Sequence, residues 1–281
     1  MAKGNLLLGT AGNSVGDVVM YRREGAQVSR VRVRKVKNPK TAAQSTQRAF
    51  FAPVAKFYSP LSIVLERSYE GLSKSKSYSN FLKTNVDLAR ANDWLLPKGT
   101  GFFPLPYKLS SGSLPSLTYG MSGNYGELNV GTSAADINTV GQLSTALINL
   151  GYKAADIISF IFVIKDTASN YVPHTCQFEI NTTSSVTLTS LLGTCGMEAA
   201  PAQGNSLNFA AKTGSCVAIG VIAARYQNDV WRRSNQILAV DATIISTISA
   251  SEYKAAAIAS YGATNTGDNP LVYLDGKELE G

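Results

Sequence analysis

The sequence predicts an α+β protein, predominantly β, in which a basic N-terminal β-hairpin and helices lead into an antiparallel β-sandwich of jelly-roll type. Three observations predict it. From Arg30 to Arg34, Arg and Val alternate, the period of a strand with two unlike faces. Apolar residues then recur at helical spacing from Ala42 to Ala91. Beyond residue 105, short β-branched and aromatic runs are separated by Gly, Asn, Asp and Ser, the punctuation of a sandwich.

The elements follow in order. Gly9, Gly12 and Gly16 make the start of the chain read as a flexible arm. Val15–Tyr21 is largely apolar, Arg23–Ala26 supplies a turn, and Gln27–Lys37 returns with Arg30, Arg32 and Arg34 on one face and Val31 and Val33 on the other. Lys35 breaks that phase, so the strand ends or bulges there, and Asn38-Pro39 stops it because proline has no N–H for a ladder. Thr41 and Gln44 have the form of a capping box. The helix they open carries Ala49, Phe50, Val54 and Phe57 on one side, and Pro53 within it predicts a kink or break. A second helix is expected over 60–70, stopped by Gly71, then a polar linker over 73–79, then a third helix over 79–91.

Pro97, Pro104, Pro106 and Pro115, set among Gly and Ser, place a boundary between a basic arm at 1–95 and a sandwich domain at 105–260, with a polar tail at 261–281. Within the sandwich, strands are expected at 116–122, 127–132, 157–165, 175–180, 185–191, 206–211, 216–225 and 230–239, with a helix at 140–150. Gln227-Asn228-Asp229 reads as the turn of the last hairpin, with Trp231 in the inter-sheet core and Arg232 exposed. A closing helix is expected at 251–260.

Charge is distributed unevenly along this frame. Residues 1–100 hold 17 Lys and Arg against 6 Asp and Glu, a net +11, while residues 101–281 hold 9 against 13, a net −4. Same-face positions on a strand repeat every ~6.6–6.8 Å, close to the spacing of phosphates along an extended nucleic-acid strand. Arg30, Arg32 and Arg34 therefore match three successive phosphates, each guanidinium offering a planar fork. Lys35, Lys37 and Lys40 extend the patch, and Arg22, Arg23 and Arg48 widen it if the hairpin lies against the first helix. Contacts of this kind ignore base sequence and weaken with salt. An acidic protein surface, or plain solvation of a strand face, fits the same residues.

Catalysis has no comparable signal. His174 is the sole histidine and its Val-Pro-His-Thr-Cys setting contains no nucleophile motif, although Cys176 shares its strand face. The three cysteines show no CxxC spacing and read as reduced, buried thiols. No structural zinc site or other metal site is expected, and the Gly4–Thr10 run lacks the Gly-Lys-Ser/Thr ending of a phosphate loop. Asp166, Asp241 and Asp268 have no spacing that joins them. No cofactor and no enzyme activity are expected. The longest apolar run, Ile157–Ile164, is far below the ~20 residues that span a bilayer, and the N-terminus carries no recognisable signal peptide.

Val15-Gly16-Asp17-Val18-Val19, the Asn38-Pro39-Lys40-Thr41 run with Gln44, Gln47 and Arg48, and the stretch Ala224–Gln236 resemble an uncharacterised family of Bacteroidota and gut-phage proteins, a domain of unknown function. The resemblance implies a basic N-terminal module and a β-rich C-terminal module in a phage-like setting, and transfers no site residues. The expected function is a virion or phage-associated structural subunit, without enzymatic activity, that self-assembles as a homo-oligomer. Its arm would contact nucleic acid or a neighbouring subunit, in the virion or the host bacterial cytoplasm. Two other readings fit the same residues. One is a non-assembling cytoplasmic nucleic-acid-binding accessory protein. The other is a carbohydrate-binding sandwich using Tyr119, Tyr125 and Tyr171.

Overall fold

The structure, a computed structural model, describes residues 3–5, 10–15, 18–23, 26–31, 41–99 and 101–261. The chain divides into two compact units, Met1–Pro39 and Lys40–Gly281. In the first, β1 (Lys3–Asn5), β2 (Thr10–Val15), β3 (Val18–Arg23) and β4 (Ala26–Val31) pair antiparallel in chain order. The predicted hairpin is β3–β4, in register from Val18 opposite Val31 to Arg23 opposite Ala26. The glycine-rich start is sheet rather than a free arm where it is described, with Lys3 opposite Gly12 and Gly4 opposite Ala11. Gly9 and Gly16 lie outside the described residues.

The second unit opens with α1 (Ala42–Tyr58), begun where the Thr41 hydroxyl accepts the Gln44 N–H at 3.3 Å. The helix runs through Pro53 without the predicted break. Proline has no N–H to give Ala49, which would leave a buried carbonyl without its helical donor. The Leu96 N–H supplies that donor at 3.3 Å, so the Ala49 carbonyl stays satisfied as the helix continues.

A short 3₁₀ turn (Ser59–Leu61) leads into α2 (Ser62–Leu65), which ends earlier than expected because Arg67 takes a left-handed backbone, φ 53°. That turn sends Tyr69 to bridge Ser111. Next, α3 (Lys74–Ala91) begins at Lys74, so the Ser-Lys run is helix rather than linker. Ser77 is the reason: its hydroxyl is buried and accepts the Tyr69 N–H at 3.3 Å.

The proline-rich segment 94–114, the expected place of a boundary between 1–95 and 105–260, contributes apolar residues to the core. Trp94, Leu95, Leu96, Phe103, Leu105 and Tyr107 are all buried, in one apolar cluster with Phe57, Phe81 and the sheet residues Ile161 and Val217. The compact division falls at 39/40, ahead of the helices. Proline richness signals a segment without regular hydrogen bonding, and a strap across a core meets that description as well as a linker does.

The rest of the unit is β5 (Lys108–Ser110), β6 (Tyr119–Ser122), β7 (Tyr125–Asn129), α4 (Val140–Asn149), β8 (Ile157–Lys165), β9 (Tyr171–Glu179), α5 (Leu188–Gly193), β10 (Met197–Gln203), β11 (Ser206–Ala211), β12 (Ser215–Gln227), β13 (Val230–Arg233), α6 (Ala242–Ser249) and α7 (Ser251–Ser260). Besides a separate pairing of β5 with Gln236–Ile237, two antiparallel sheets result, in the orders β13-β12-β8-β9, with Ala239–Val240 also paired to β12, and β10-β11-β7-β6. They form a sandwich because β8 is apolar on both faces: Ile158, Phe160, Phe162 and Ile164 meet the second sheet, while Ile161 and Val163 meet the helices. Phe209 on β11 packs 5.4 Å from Phe160 and 5.5 Å from Phe162, ring centre to ring centre. On β12 the register shifts between Cys216 and Ala218, and this bulge at Val217 keeps Ile219 and Val221 on the inter-sheet side and Ala218 and Ile222 on the helical side. Gly220 has no room for a side chain, because a Cβ would run into the side chains of Leu109 and Leu238. The fold is therefore mixed α+β, with helices α1–α3, α6 and α7 covering one face of the sandwich.

One segment differs in type from the expectation, and β10 lies where no element is expected. The 185–191 run is α5, because the Thr187 hydroxyl caps it by accepting the Ser190 N–H at 3.2 Å. In contrast, β10 carries Pro201 and no β-branched residue, and pairing with β11 alone holds it as a strand.

Candidate functional site

The predicted basic surface is distributed over both compact units. Arg22 and Arg23 end β3, in register with Gln27 and Ala26, and Arg30 lies on β4 opposite Val19. Arg30 is exposed. Arg32, Arg34, Lys35, Lys37 and Lys40 lie outside the described residues. Arg48 stands on α1, half-buried, in the other unit. The hairpin thus gathers Arg22, Arg23 and Arg30 on two paired strands, a backbone frame that repeats at phosphate spacing.

A further basic cluster, Arg225, Arg232 and Arg233 at the β12–β13 hairpin, separates into distinct roles. Asn228 and Asp229 both take left-handed backbone (φ 53° and 59°) in the predicted turn, joining Gln227 to its partner Val230. Arg225 grips Asp156 with two bonds, Nε to Oδ1 at 2.7 Å and Nη2 to Oδ2 at 2.6 Å, and the carboxylate is 1% exposed. Trp231 belongs to neither core cluster, against expectation. Its ring packs 5.1 Å from Tyr226, with the Arg233 guanidinium 5.1 Å above it. Alternation along β13 shows which residues share a face, but only the docked helices reveal that this face is an outer one.

Glu70 is a node that the sequence does not advertise. Its carboxylate accepts the Ser113 N–H at 2.8 Å, the Ser113 hydroxyl at 3.0 Å and the Arg233 N–H at 3.4 Å. Burial pushes its pKa upward, but these hydrogen bonds and the Arg232 charge outweigh that and hold it below its ordinary value of 4.5. A carboxyl depressed on folding stabilises the native state above its unfolded pKa, and that contribution is lost as pH falls through the folded value. Titrating the protein from about pH 6 to about pH 3 should therefore cost Glu70→Gln less stability than wild type. Equal acid loss in the two proteins, followed by thermal melts, would remove Glu70 from the acid response.

The remaining candidates serve structure. Burial lowers the pKa of His174, and among the described residues it makes no hydrogen bond to a thiol. All three cysteines are free and buried, and Cys195 donates its S–H to the Leu192 carbonyl at 3.1 Å. Asp166 accepts the Asn170 N–H at 2.7 Å, Asp241 caps α6 through the Thr243 N–H at 2.8 Å, and Asp268 lies outside the described residues. The Tyr119 hydroxyl donates to the Ile237 carbonyl at 2.7 Å, and Tyr171 packs edge-on to Phe103, so Tyr125 is the one exposed ring of the three. Among the described residues no three His, Cys, Asp or Glu side chains converge as metal ligands, and no helix is long and apolar enough to cross a membrane.

Residues 9–89 match DUF6266, a family of unknown function. The matched region runs from β2 to α3, across the division between the two units, and leaves Ala224–Gln236 outside it. No curated protein matches the chain.

Proposed function

We propose that the protein is a non-enzymatic, self-assembling structural subunit whose basic N-terminal unit grips nucleic acid through its phosphates. The observation that carries this reading is the coincidence of charge with architecture. Unit 1–39 is compact, its described residues form an antiparallel sheet, and its sequence holds 8 Lys and Arg against 2 Asp and Glu. A small cationic sheet that forms its own compact unit has the character of an arm, and guanidinium groups at strand spacing match a phosphate ladder. The DUF6266 match begins within this arm, and the resemblance to Bacteroidota and gut-phage proteins makes a phage particle the setting we favour. The sandwich and its helical cover would supply the lattice.

Size-exclusion chromatography with light scattering tests assembly, and the 260/280 nm ratio of the same peak tests captured nucleic acid. A large, nucleic-acid-bearing species is the expected result, whereas a bare monomer near 29.9 kDa overturns the proposal. A monomer that carries nucleic acid would mean a non-assembling accessory protein. Replacing Arg30, Arg32 and Arg34 together by Ala should weaken nucleic-acid binding and flatten its log–log salt slope by roughly 2–3 units, at ~0.7–0.9 for each phosphate no longer neutralised. An unchanged slope would remove the arm from the account.

A further inference from the structure

We propose that the second unit carries its own track for single-stranded nucleic acid, running from the β12–β13 hairpin along the N-terminal half of α3. This rests on the reading that the protein meets nucleic acid, and adds a binding surface independent of the arm. Two concavities carry the argument. One, of about 270 Å³, lies between Arg67, Tyr69 and Ser73 on one side and Asp229, Val230 and Trp231 on the other. The second, of about 390 Å³, lies along α3 between Ser75, Lys76, Ser79, Asn80 and Lys83. Leu72 lines both, so the two concavities adjoin at that side chain.

Charge decides what this surface fits. Most carboxylates around it are engaged: Glu66 by Lys74 at 2.8 Å, Asp87 by Arg90 at 3.2 Å, Asp93 by Lys254 at 2.7 Å, and Glu70 by Ser113 and Arg233, while Asp229 at the hairpin end of the surface accepts only the Tyr226 hydroxyl at 3.1 Å. Arg67, Lys76 and Lys83 have no carboxylate partner among the described residues. Burial first, and the neighbouring Arg67 charge second, hold the Arg233 guanidinium below its ordinary value. Positions 76, 79, 80 and 83 share one helix face, and Lys76 and Lys83 are separated by about 10.5 Å along the axis. Hydroxyl and amide donors between two ammonium groups suit a phosphate chain. At the far end Trp231 lines the concavity between Tyr226 and the Arg233 guanidinium, so a base entering there meets an aromatic edge beside a cation, and aromatic rings flanked by cations are how single strands are held without sequence preference. A duplex presents no free base to the indole.

The chain's other tryptophan, Trp94, is buried, so quenching by a bound strand reports on Trp231. Titrating the full-length protein with a fluorescent oligothymidylate of about 15 nucleotides should quench tryptophan emission as anisotropy rises. Trp231→Phe should abolish the quench. Lys76→Ala with Lys83→Ala, both exposed, should weaken binding several-fold and reduce the salt slope by roughly 1.4 units, at ~0.7 for each single-strand phosphate. The Arg30, Arg32 and Arg34 triple variant should bind more weakly yet keep the quench. Binding without a change in Trp231 emission, or unaltered by the lysine changes, overturns the track and leaves the arm standing. Absence of binding by the unmodified protein overturns both.

Discussion

Arg225→Ala is expected to destabilise the protein by about 3–5 kcal/mol, the cost of leaving a buried carboxylate without its partner. Asp156 is 1% exposed and the Arg225 side chain 14%, so neither charge is screened as a surface pair would be. Asp156 also accepts the Lys153 N–H at 2.8 Å and, through its own backbone carbonyl, the Ile180 N–H at 2.8 Å. The pair therefore fixes the loop that feeds β8, and its loss should be felt at the edge of the central sheet. At ~2–4 °C per kcal/mol for a unit of this size, the midpoint should fall by about 10 °C in thermal melts. The double variant Asp156→Asn with Arg225→Met removes both charges and should recover part of the loss, because the desolvation cost goes with them. A single variant that melts within a degree or so of wild type would show that the carboxylate is solvated after all.

Phe160→Ala should cost a similar amount, about 3–5 kcal/mol. Its ring lies 1% exposed between the two sheets, 5.7 Å from Phe162, 6.0 Å from Phe178 and 5.4 Å from Phe209. Truncation leaves a cavity that rings on both sheets line, and stiff aromatic neighbours close it poorly. Phe51→Ala is the comparison, since that ring is 48% exposed on α1 and its loss should fall within about 0.5 kcal/mol of neutral. If urea midpoints showed the two variants equally stable, the sheets would not share a core.

Much of the frame is legible in local chemistry. Thr41 announces the start of α1 and Asn228-Asp229 the last hairpin, because capping hydroxyls and left-handed turn residues act over three or four positions. Ile157–Lys165 reads as a strand because nine residues with almost no polar interruption are buried on both sides. The misreadings share one cause. Pro53, the Pro-rich segment before β5 and the Ser-Lys run before α3 all carry strong local signals against the structure they adopt. Each is overruled by a partner outside the segment itself: Leu96 for Ala49, the aromatic cluster for Tyr107, and Tyr69, eight residues away, for Ser77.

The candidate surfaces divide in the same way. Charge is additive along a chain, so the cationic character of the first hundred residues is visible without any structure. Whether two cations stand side by side is not. Arg67 and Trp231 are far apart in sequence and meet only because α2 ends early and the β12–β13 hairpin folds back onto that turn. By itself the sequence determined the α+β class, the hairpins and the basic pole, since each rests on periodicity, turn chemistry or summed charge. The tertiary structure alone decided that the helices share the sandwich's core, that Trp231 faces a cleft, and which of the described lysines stand without a carboxylate, because burial and pairing depend on how distant segments meet.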